Sequence, residues 1–194
     1  GRDPERLSHD GGFCALMKPM ATISTDLITR RLQGSVSAIQ SLQEQTGAIA
    51  SISELIIERL REGGTLYTCG NGGSAAEALH LAEELIGRYR GNRGALRAIC
   101  LNADPTALTC IANDFGYEQV FARQCEALLK PEDVLLVLST SGNSPNIIEA
   151  LRTGKSAGTT CLGLLGRDGG TCLGLCDQAI VVPAPDSAHV QEAH

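Results

Sequence analysis

A histidine and a glutamate lie four residues apart in the segment CGNGGSAAEALHLAEE, residues 69–84. Residues at this spacing lie on the same face of a helix, so His80 and Glu84 would be neighbours there. An imidazole and a carboxylate can together bind a divalent metal ion such as zinc, and either group can transfer a proton. Two ligands are too few for a tight metal site, and Gln191 and His194 near the end of the chain are further candidates by residue type.

The same spacing also has a simpler explanation. Glu77, His80, Glu84 and Arg88 form one polar stripe, which is typical of a solvated helix face. A Glu84–Arg88 ion pair on such a face would stabilise the helix by about 0.2–0.5 kcal/mol. Spacing alone favours this explanation, but the position of the helix directly after a glycine-rich loop favours a role at a ligand site.

Two loops of small residues could bind that ligand. Asn71, Gly72 and Ser74 lie in the first loop, and STSGNS, residues 139–144, forms the second. Each loop joins an apolar segment to a helical one, where free backbone N–H groups attract anions such as phosphate. No lysine follows in the position that a Walker A loop requires. Both loops could instead be ordinary turns and helix caps, but two of them after separate strands favour phosphate binding.

The elements that must position these residues alternate along the chain. Strands are predicted at 65–69, 97–102, 133–140, 159–166 and 178–184, and helices at 74–90, from Asp104 toward Asn113, at 118–129 and at 146–157. Residues 22–61 form two helices, or one helix interrupted at Gly34, and the tail begins a further helix that the chain end truncates. This alternation predicts an α/β fold with a parallel sheet and helices on both faces.

Composition narrows the functional classes. The chain has 194 residues and a net charge of −6 without a basic tract, so nucleic acid is not an expected partner. No apolar run is long enough to span a bilayer, and a membrane association is not expected. We expect residues 1–20 to be a disordered upstream segment, with a native start at Met17 or Met20, and residues 21–194 to form a single domain.

The eight cysteines favour a reducing compartment. Most of them lie within apolar runs, and no Cys-x-x-Cys pair indicates a zinc knuckle or a redox motif. We therefore expect reduced thiols in a cytoplasmic protein.

Several segments together resemble a known family. CGNGGSAAEALHLAEELIGRYR, NADPTALTCIANDFGYEQVF, DVLLVLSTSGNSPNIIEAL, GRDGG and VQEAH are similar to the sugar isomerase (SIS) domain family, and to its heptose-phosphate isomerase branch in particular. The resemblance extends from about Leu27 to the last residue. It implies a three-layer α/β/α sandwich with a flavodoxin-like sheet (the SIS fold), assembled as a homotetramer.

The resemblance also implies an activity and a set of site residues. The activity is the aldose–ketose isomerisation of sedoheptulose 7-phosphate to D-glycero-D-manno-heptose 7-phosphate, the first step of nucleotide-activated heptose synthesis, which can supply lipopolysaccharide. One zinc ion per subunit would be held by His80, Glu84, Gln191 and a histidine beyond residue 194, so His194 receives no ligand role. The implied substrate and phosphate contacts are Asn71, Gly72, Ser74, Arg88, Asp104, Ser139, Thr140, Ser141, Ser144 and Gln191. The segment departs from the family before Gln191, where His189 stands in place of the usual arginine.

Glu84 is the candidate catalytic base for moving a proton between C1 and C2 of the sugar. The alternative is a non-catalytic tetrameric SIS module that binds a replication initiator or senses sugar phosphates. Such relatives usually lack the glutamate of the His-x-x-x-Glu pair, so the presence of Glu84 favours an enzyme.

Overall fold

The structure is a computed structural model, and it describes residues 24–194. The chain divides into two compact units, residues 1–32 and 33–194. The described part of the first unit, residues 24–32, contains the first turns of helix α1 (Thr25–Ser41). The other helices are α2 (Thr46–Arg61), α3 (Gly73–Ile86), α4 (Pro105–Phe115), α5 (Ala122–Leu128), α6 (Pro145–Ser156), α7 (Gly170–Leu173) and α8 (Ser187–Ala193).

Five parallel strands form one sheet. They are β1 (Leu66–Gly70), β2 (Ala98–Cys100), β3 (Val134–Ser139), β4 (Thr160–Gly166) and β5 (Gln178–Val182). Their order is β2-β1-β3-β4-β5, with Leu66 aligned to Ala98 and to Val134. This is the flavodoxin-like order, whose switch point lies between β1 and β3. Both strands are buried along their whole length, as expected for nearly continuous apolar runs in a parallel sheet.

Each face of the sheet is covered by helices. On one face, buried side chains of α5, α6 and α7, including Cys125, Ile147 and Cys172, pack against β1 and β3. On the other face, Ile52 of α2 and Ala78 and Ala82 of α3 pack against the same sheet. The predicted three-layer α/β/α sandwich with a parallel, flavodoxin-like sheet is therefore confirmed.

Several predicted boundaries were wrong. Helix α1 continues through Gly34, and the break comes at a 3-10 turn, Leu42–Gln45. Helix α3 ends at Ile86 rather than at residue 90. The predicted helix at 118–129 begins with a separate 3-10 turn, Tyr117–Gln119, and the short helix α7 was not predicted.

The seven described cysteines are free thiols. Burial raises the pKa of Cys125 and of Cys161 to about 12, so both thiols are neutral at physiological pH. They serve as small apolar core residues. Among residues 24–194, no helix is both long and apolar enough to cross a membrane. The expected disorder of residues 1–20 lies outside the described residues.

Candidate functional site

The first small-residue loop lies at the switch point, between the end of β1 and the start of α3. Gly72 has φ +56, a conformation that favours glycine. A side chain at Gly70 would collide with the backbone of Ser74, and one at Gly73 would collide with the Gln191 carboxamide. The glycines therefore allow the chain to turn sharply and allow Gln191 to approach the first turn of α3.

Two asparagines from other strands and helices hold this loop. The Asn102 side chain accepts from Gly70 N at 3.1 Å and donates to Gly70 O at 3.0 Å. Asn71 and the buried Asn146 exchange two hydrogen bonds between their carboxamides, each of 2.8 Å. Because Asn146 lies in the first turn of α6, the loop after β1 is bound directly to the helix that follows β3.

The second loop, residues 139–144, is held by two of its own hydroxyls and by hydrogen bonds from Thr171 and Cys172 of α7. The Ser139 hydroxyl is buried and accepts from Gly142 N at 3.1 Å, and the Ser141 hydroxyl accepts from Asn143 N at 3.2 Å. Ser144 is the N-cap of α6, but its side chain makes no capping hydrogen bond. Its hydroxyl therefore remains available to a ligand at the N-terminus of the helix.

A cavity of about 420 Å³ lies beside α3. The predicted metal ligands His80, Glu84 and Gln191 all line it. His80 Nε2 and Glu84 Oε1 are 3.4 Å apart, close to the separation of about 3.3 Å between two ligands 2.0–2.1 Å from a tetrahedral ion. Glu83 also lies within reach of these two ligand atoms, but it lines a separate apolar groove.

Buried polar atoms without a partner concentrate in the same cavity. Glu77 Oε2 and both ring nitrogens of His194 are buried and make no hydrogen bond of normal geometry within the described residues. Burial raises the pKa of the Glu77 carboxyl and lowers the pKa of the His194 imidazole, so each group is biased toward its neutral form. Since such atoms are costly when unpaired, they favour a polar ligand in this cavity.

Two of the predicted substrate residues lie elsewhere. Arg88 is outside α3, exposed, and its guanidinium donates to Asn92, so the predicted Glu84–Arg88 pair on one helix face is absent. The helix ends at its C-cap Gly87, and Arg93 donates to the carbonyls of Glu84 and Leu85 in the last turn. Asp104 caps α4 through hydrogen bonds from Thr106 N and Ala107 N, as its sequence position predicted.

The structure adds site residues that the sequence patterns did not single out. Asn102, Asn146 and Tyr117 contact the glycine loop, and Tyr89 and Arg93 line the cavity. Of these five residues, only Asn102 had a signal in the sequence, because it directly follows an apolar strand. The contacts of Asn146 and Tyr117 with Asn71 join segments 75 and 46 residues apart.

Comparisons with known proteins agree with the fold and identify the family. A model of the SIS domain family matches residues 32–166. Phosphoheptose isomerase 1 of Campylobacter jejuni is 47% identical over 169 residues, which cover 87% of this chain and 91% of the relative. A phosphoheptose isomerase of Helicobacter pylori is 50% identical over 157 residues, covering 81% and 80%. A solved phosphoheptose isomerase from Neisseria gonorrhoeae superposes with a TM-score of 0.81 at 36% identity, covering 86% of this chain and 90% of that chain.

A parallel α/β/α sandwich with two polar loops at the switch point defines a sugar-phosphate isomerase-like domain. The chain belongs to the SIS domain family, in its phosphoheptose isomerase branch.

Proposed function

We propose that this protein converts sedoheptulose 7-phosphate to D-glycero-D-manno-heptose 7-phosphate. The observation that carries the proposal is the convergence of His80, Glu84 and Gln191 on one cavity, with Gln191 packed against Gly73 at the start of α3. The identity of 47% to a phosphoheptose isomerase supports the same substrate.

The phosphate end of the sugar is assigned to the loop after β3. Thr140, Ser141 and Ser144 offer hydroxyl groups, while Ser139 shapes the loop through its bond to Gly142. The N-terminus of α6 adds backbone N–H groups and the positive end of its dipole. Asn71, Gly72 and Ser74 approach the same ligand from the loop after β1, which is bound to α6 through Asn146. Arg88, Asp104 and Gln191 remain proposed substrate contacts.

The reacting end of the sugar is assigned to the cavity. The Glu84 carboxylate removes a proton from C1 of the ketose, and the electrons of that C–H bond form the C1–C2 double bond of an enediolate. Return of the proton to C2 gives the aldose, while a second group or water transfers a proton between the two oxygens. Binding of the phosphate orients C1 and C2 at Glu84, which lowers the entropic part of the barrier.

The cavity also fits a zinc ion. His80, Glu84 and Gln191 supply nitrogen and oxygen donors of the types that zinc accepts, and a histidine beyond residue 194 would complete the set. Bound zinc would polarise the sugar carbonyl. Gln191 is held against the start of α3, where Gly73 leaves room for its carboxamide.

Broader features of the family complete the proposal. We propose that residues 21–194 form one SIS domain, that four chains assemble into a homotetramer, and that the enzyme acts in the cytoplasm. Its product would then enter the synthesis of nucleotide-activated heptose, including that used for lipopolysaccharide.

The test is to incubate the protein with sedoheptulose 7-phosphate and to detect an aldoheptose phosphate by NMR. Three samples are compared: untreated protein, protein treated with a chelator, and chelated protein supplied again with zinc. Turnover lost with the chelator and restored by zinc supports both the isomerase and its metal site. Turnover that the chelator leaves unchanged refutes the zinc requirement but not the isomerase. Zinc-loaded protein without turnover refutes the isomerase.

A further inference from the structure

The carboxamide of Asn71 has nearly all of its hydrogen-bonding capacity occupied. Its Oδ1 accepts from Asn146 Nδ2 at 2.8 Å and from the Tyr117 hydroxyl at 3.0 Å, which fills both lone pairs. Its Nδ2 donates to Asn146 Oδ1 at 2.8 Å. Among the described residues, nothing accepts the second N–H of Asn71. This arrangement leaves one donor at the loop that follows β1.

Tyr117 contributes to this arrangement from a well-held turn. The turn Tyr117–Gln119 follows Gly116, whose φ of +89 redirects the chain after α4. Val120 and Phe121 directly after it are fully buried in the core. The Tyr117 ring itself is 63% exposed, so burial of the ring does not account for its position. The specific contact of its hydroxyl is with Asn71.

The amide pair has two possible orientations, and the Tyr117 hydroxyl meets a different atom of Asn71 in each. Exchanging O and N in both asparagines would preserve the two bonds between them. It would, however, place the Asn71 NH₂ group against the Tyr117 hydroxyl and turn Oδ1 toward the other side. In the structure the phenol O–H donates to Asn71 Oδ1, and this orientation leaves one N–H of Asn71 for the ligand.

We propose that Tyr117 is a positioning residue that fixes the Asn71 carboxamide so that its free N–H donates to an oxygen of the sugar phosphate. The inference deepens the proposed function and rests on it. The donor meets the substrate equally in the ground state and in the transition state, because it lies on the loop after β1, at the phosphate end of the proposed site rather than beside Glu84. Loss of the hydroxyl should therefore raise KM and leave kcat nearly unchanged.

The test is a double-mutant cycle on the full chain with sedoheptulose 7-phosphate. Tyr117→Phe keeps the ring and removes the hydroxyl, and Asn71→Ala removes the proposed donor, with Asn71→Ser as a second variant if the first does not fold. Tyr67→Phe is the matched control, because its hydroxyl donates to the Leu128 carbonyl, at 3.5 Å, and not to Asn71. We expect Tyr117→Phe to raise KM about two- to ten-fold, as for one neutral hydrogen bond, and Tyr67→Phe to leave KM unchanged.

In the Asn71→Ala background, Tyr117→Phe should raise KM no further. The inference is overturned if Tyr117→Phe has the KM of the wild type, or if its effect is equally large in both backgrounds. A wild-type protein without turnover refutes the proposed function instead. The four proteins of the cycle, which are the wild type, Tyr117→Phe, Asn71→Ala and the double variant, are then titrated with sedoheptulose 7-phosphate by calorimetry. Coupled losses of affinity support the role of Tyr117, and uncoupled losses or no binding overturn it.

Discussion

Two adjacent carboxylates, Glu83 and Glu84, are chemically alike but face different surroundings. Glu84 lines the cavity with His80 and Gln191, whereas Glu83 lines an apolar groove next to β2. The rotation of about 100° between successive helical residues separates them, so one position decides which carboxylate meets the substrate. This is why the role of base is assigned to Glu84 alone.

Replacing Glu84 with Gln should therefore reduce kcat by about 10²–10⁴, the usual contribution of a general base. Binding of the phosphate end, measured by calorimetry with sedoheptulose 7-phosphate, should persist because the loops are unchanged. Glu83→Gln is the control and should keep its turnover. Full activity in Glu84→Gln, or equal losses in both variants, would contradict the assignment.

Glu77 allows a measurement of what it costs to bury a charged carboxylate in the same cavity. Burial raises the pKa of its carboxyl in the folded protein, so the folded state binds this proton more tightly than the unfolded chain. The stabilisation that this tighter proton binding gives is complete below about pH 4.3, the pKa of the carboxyl in the unfolded chain. It is lost as the pH rises through the higher pKa of the carboxyl in the folded protein. Glu77→Gln should therefore melt at a higher temperature than the wild type near pH 7.

The advantage of Glu77→Gln should shrink as the pH is lowered toward 5. Melting temperatures of metal-free protein across this range measure this advantage, with Glu83→Gln as an exposed control on the same helix. A difference for Glu77→Gln that does not change with pH would show that its charge carries no burial cost.

The sequence predicted those contacts of the candidate site that are local. The approach of His80 to Glu84 follows from helical periodicity, and the Asp104 cap follows from the Asp-Pro pair at a helix start. The contacts of Asn71 with Asn146 and Tyr117 depend on the pairing of β1 with β3 and on a turn after α4. No local pattern encodes these distances, so hydrogen-bond partners of this kind emerge only from the folded chain.

At the scale of elements, the strands were predicted more accurately than the helix ends. The run at 133–140 is apolar enough to identify β3 within a residue or two, because both of its faces are buried. Helix ends depend on caps that residues outside the helix can supply, as Arg93 does for the last turn of α3. Gly34 was taken as a helix break, yet it lies within α1 and faces the His189 ring.

Gly34→Ala should consequently destabilise the protein although alanine is the better helix former. An added methyl group at this position would overlap the buried His189 ring, at a cost of about 1–3 kcal/mol of unfolding free energy. Gly47→Ala in α2 is the control, because nothing lies near its added methyl group, and it should be neutral or stabilising by up to about 1 kcal/mol. Urea denaturation measures the unfolding free energy of both variants. Gly34→Ala combined with His189→Ala should lose less than the sum of the two single variants, and strict additivity would argue against the contact.

At the scale of the whole molecule, the unit formed by residues 33–194 has apolar side chains that its own core does not cover. Large apolar residues that are about half exposed include Val36, Ile39, Leu79, Ile86 and Ile99. Leu79, Ile86 and Ile99 border a groove with little polar surface, where α3 meets the edge strand β2. Contiguous apolar surface of this kind is typical of protein interfaces, which supports the proposed homotetramer.

The tetramer predicts a mass in solution of four times the 20.4 kDa chain. Light scattering coupled to size-exclusion chromatography should give this mass across a wide range of protein concentrations, because an obligate interface that covers apolar surface dissociates little on dilution. The measurement should be repeated with a chelator, since the proposed zinc ligands His80, Glu84 and Gln191 come from one chain and metal removal should leave the assembly intact. A monomeric mass at every concentration would refute the tetramer, and dissociation on chelation alone would place the metal at an interface between subunits.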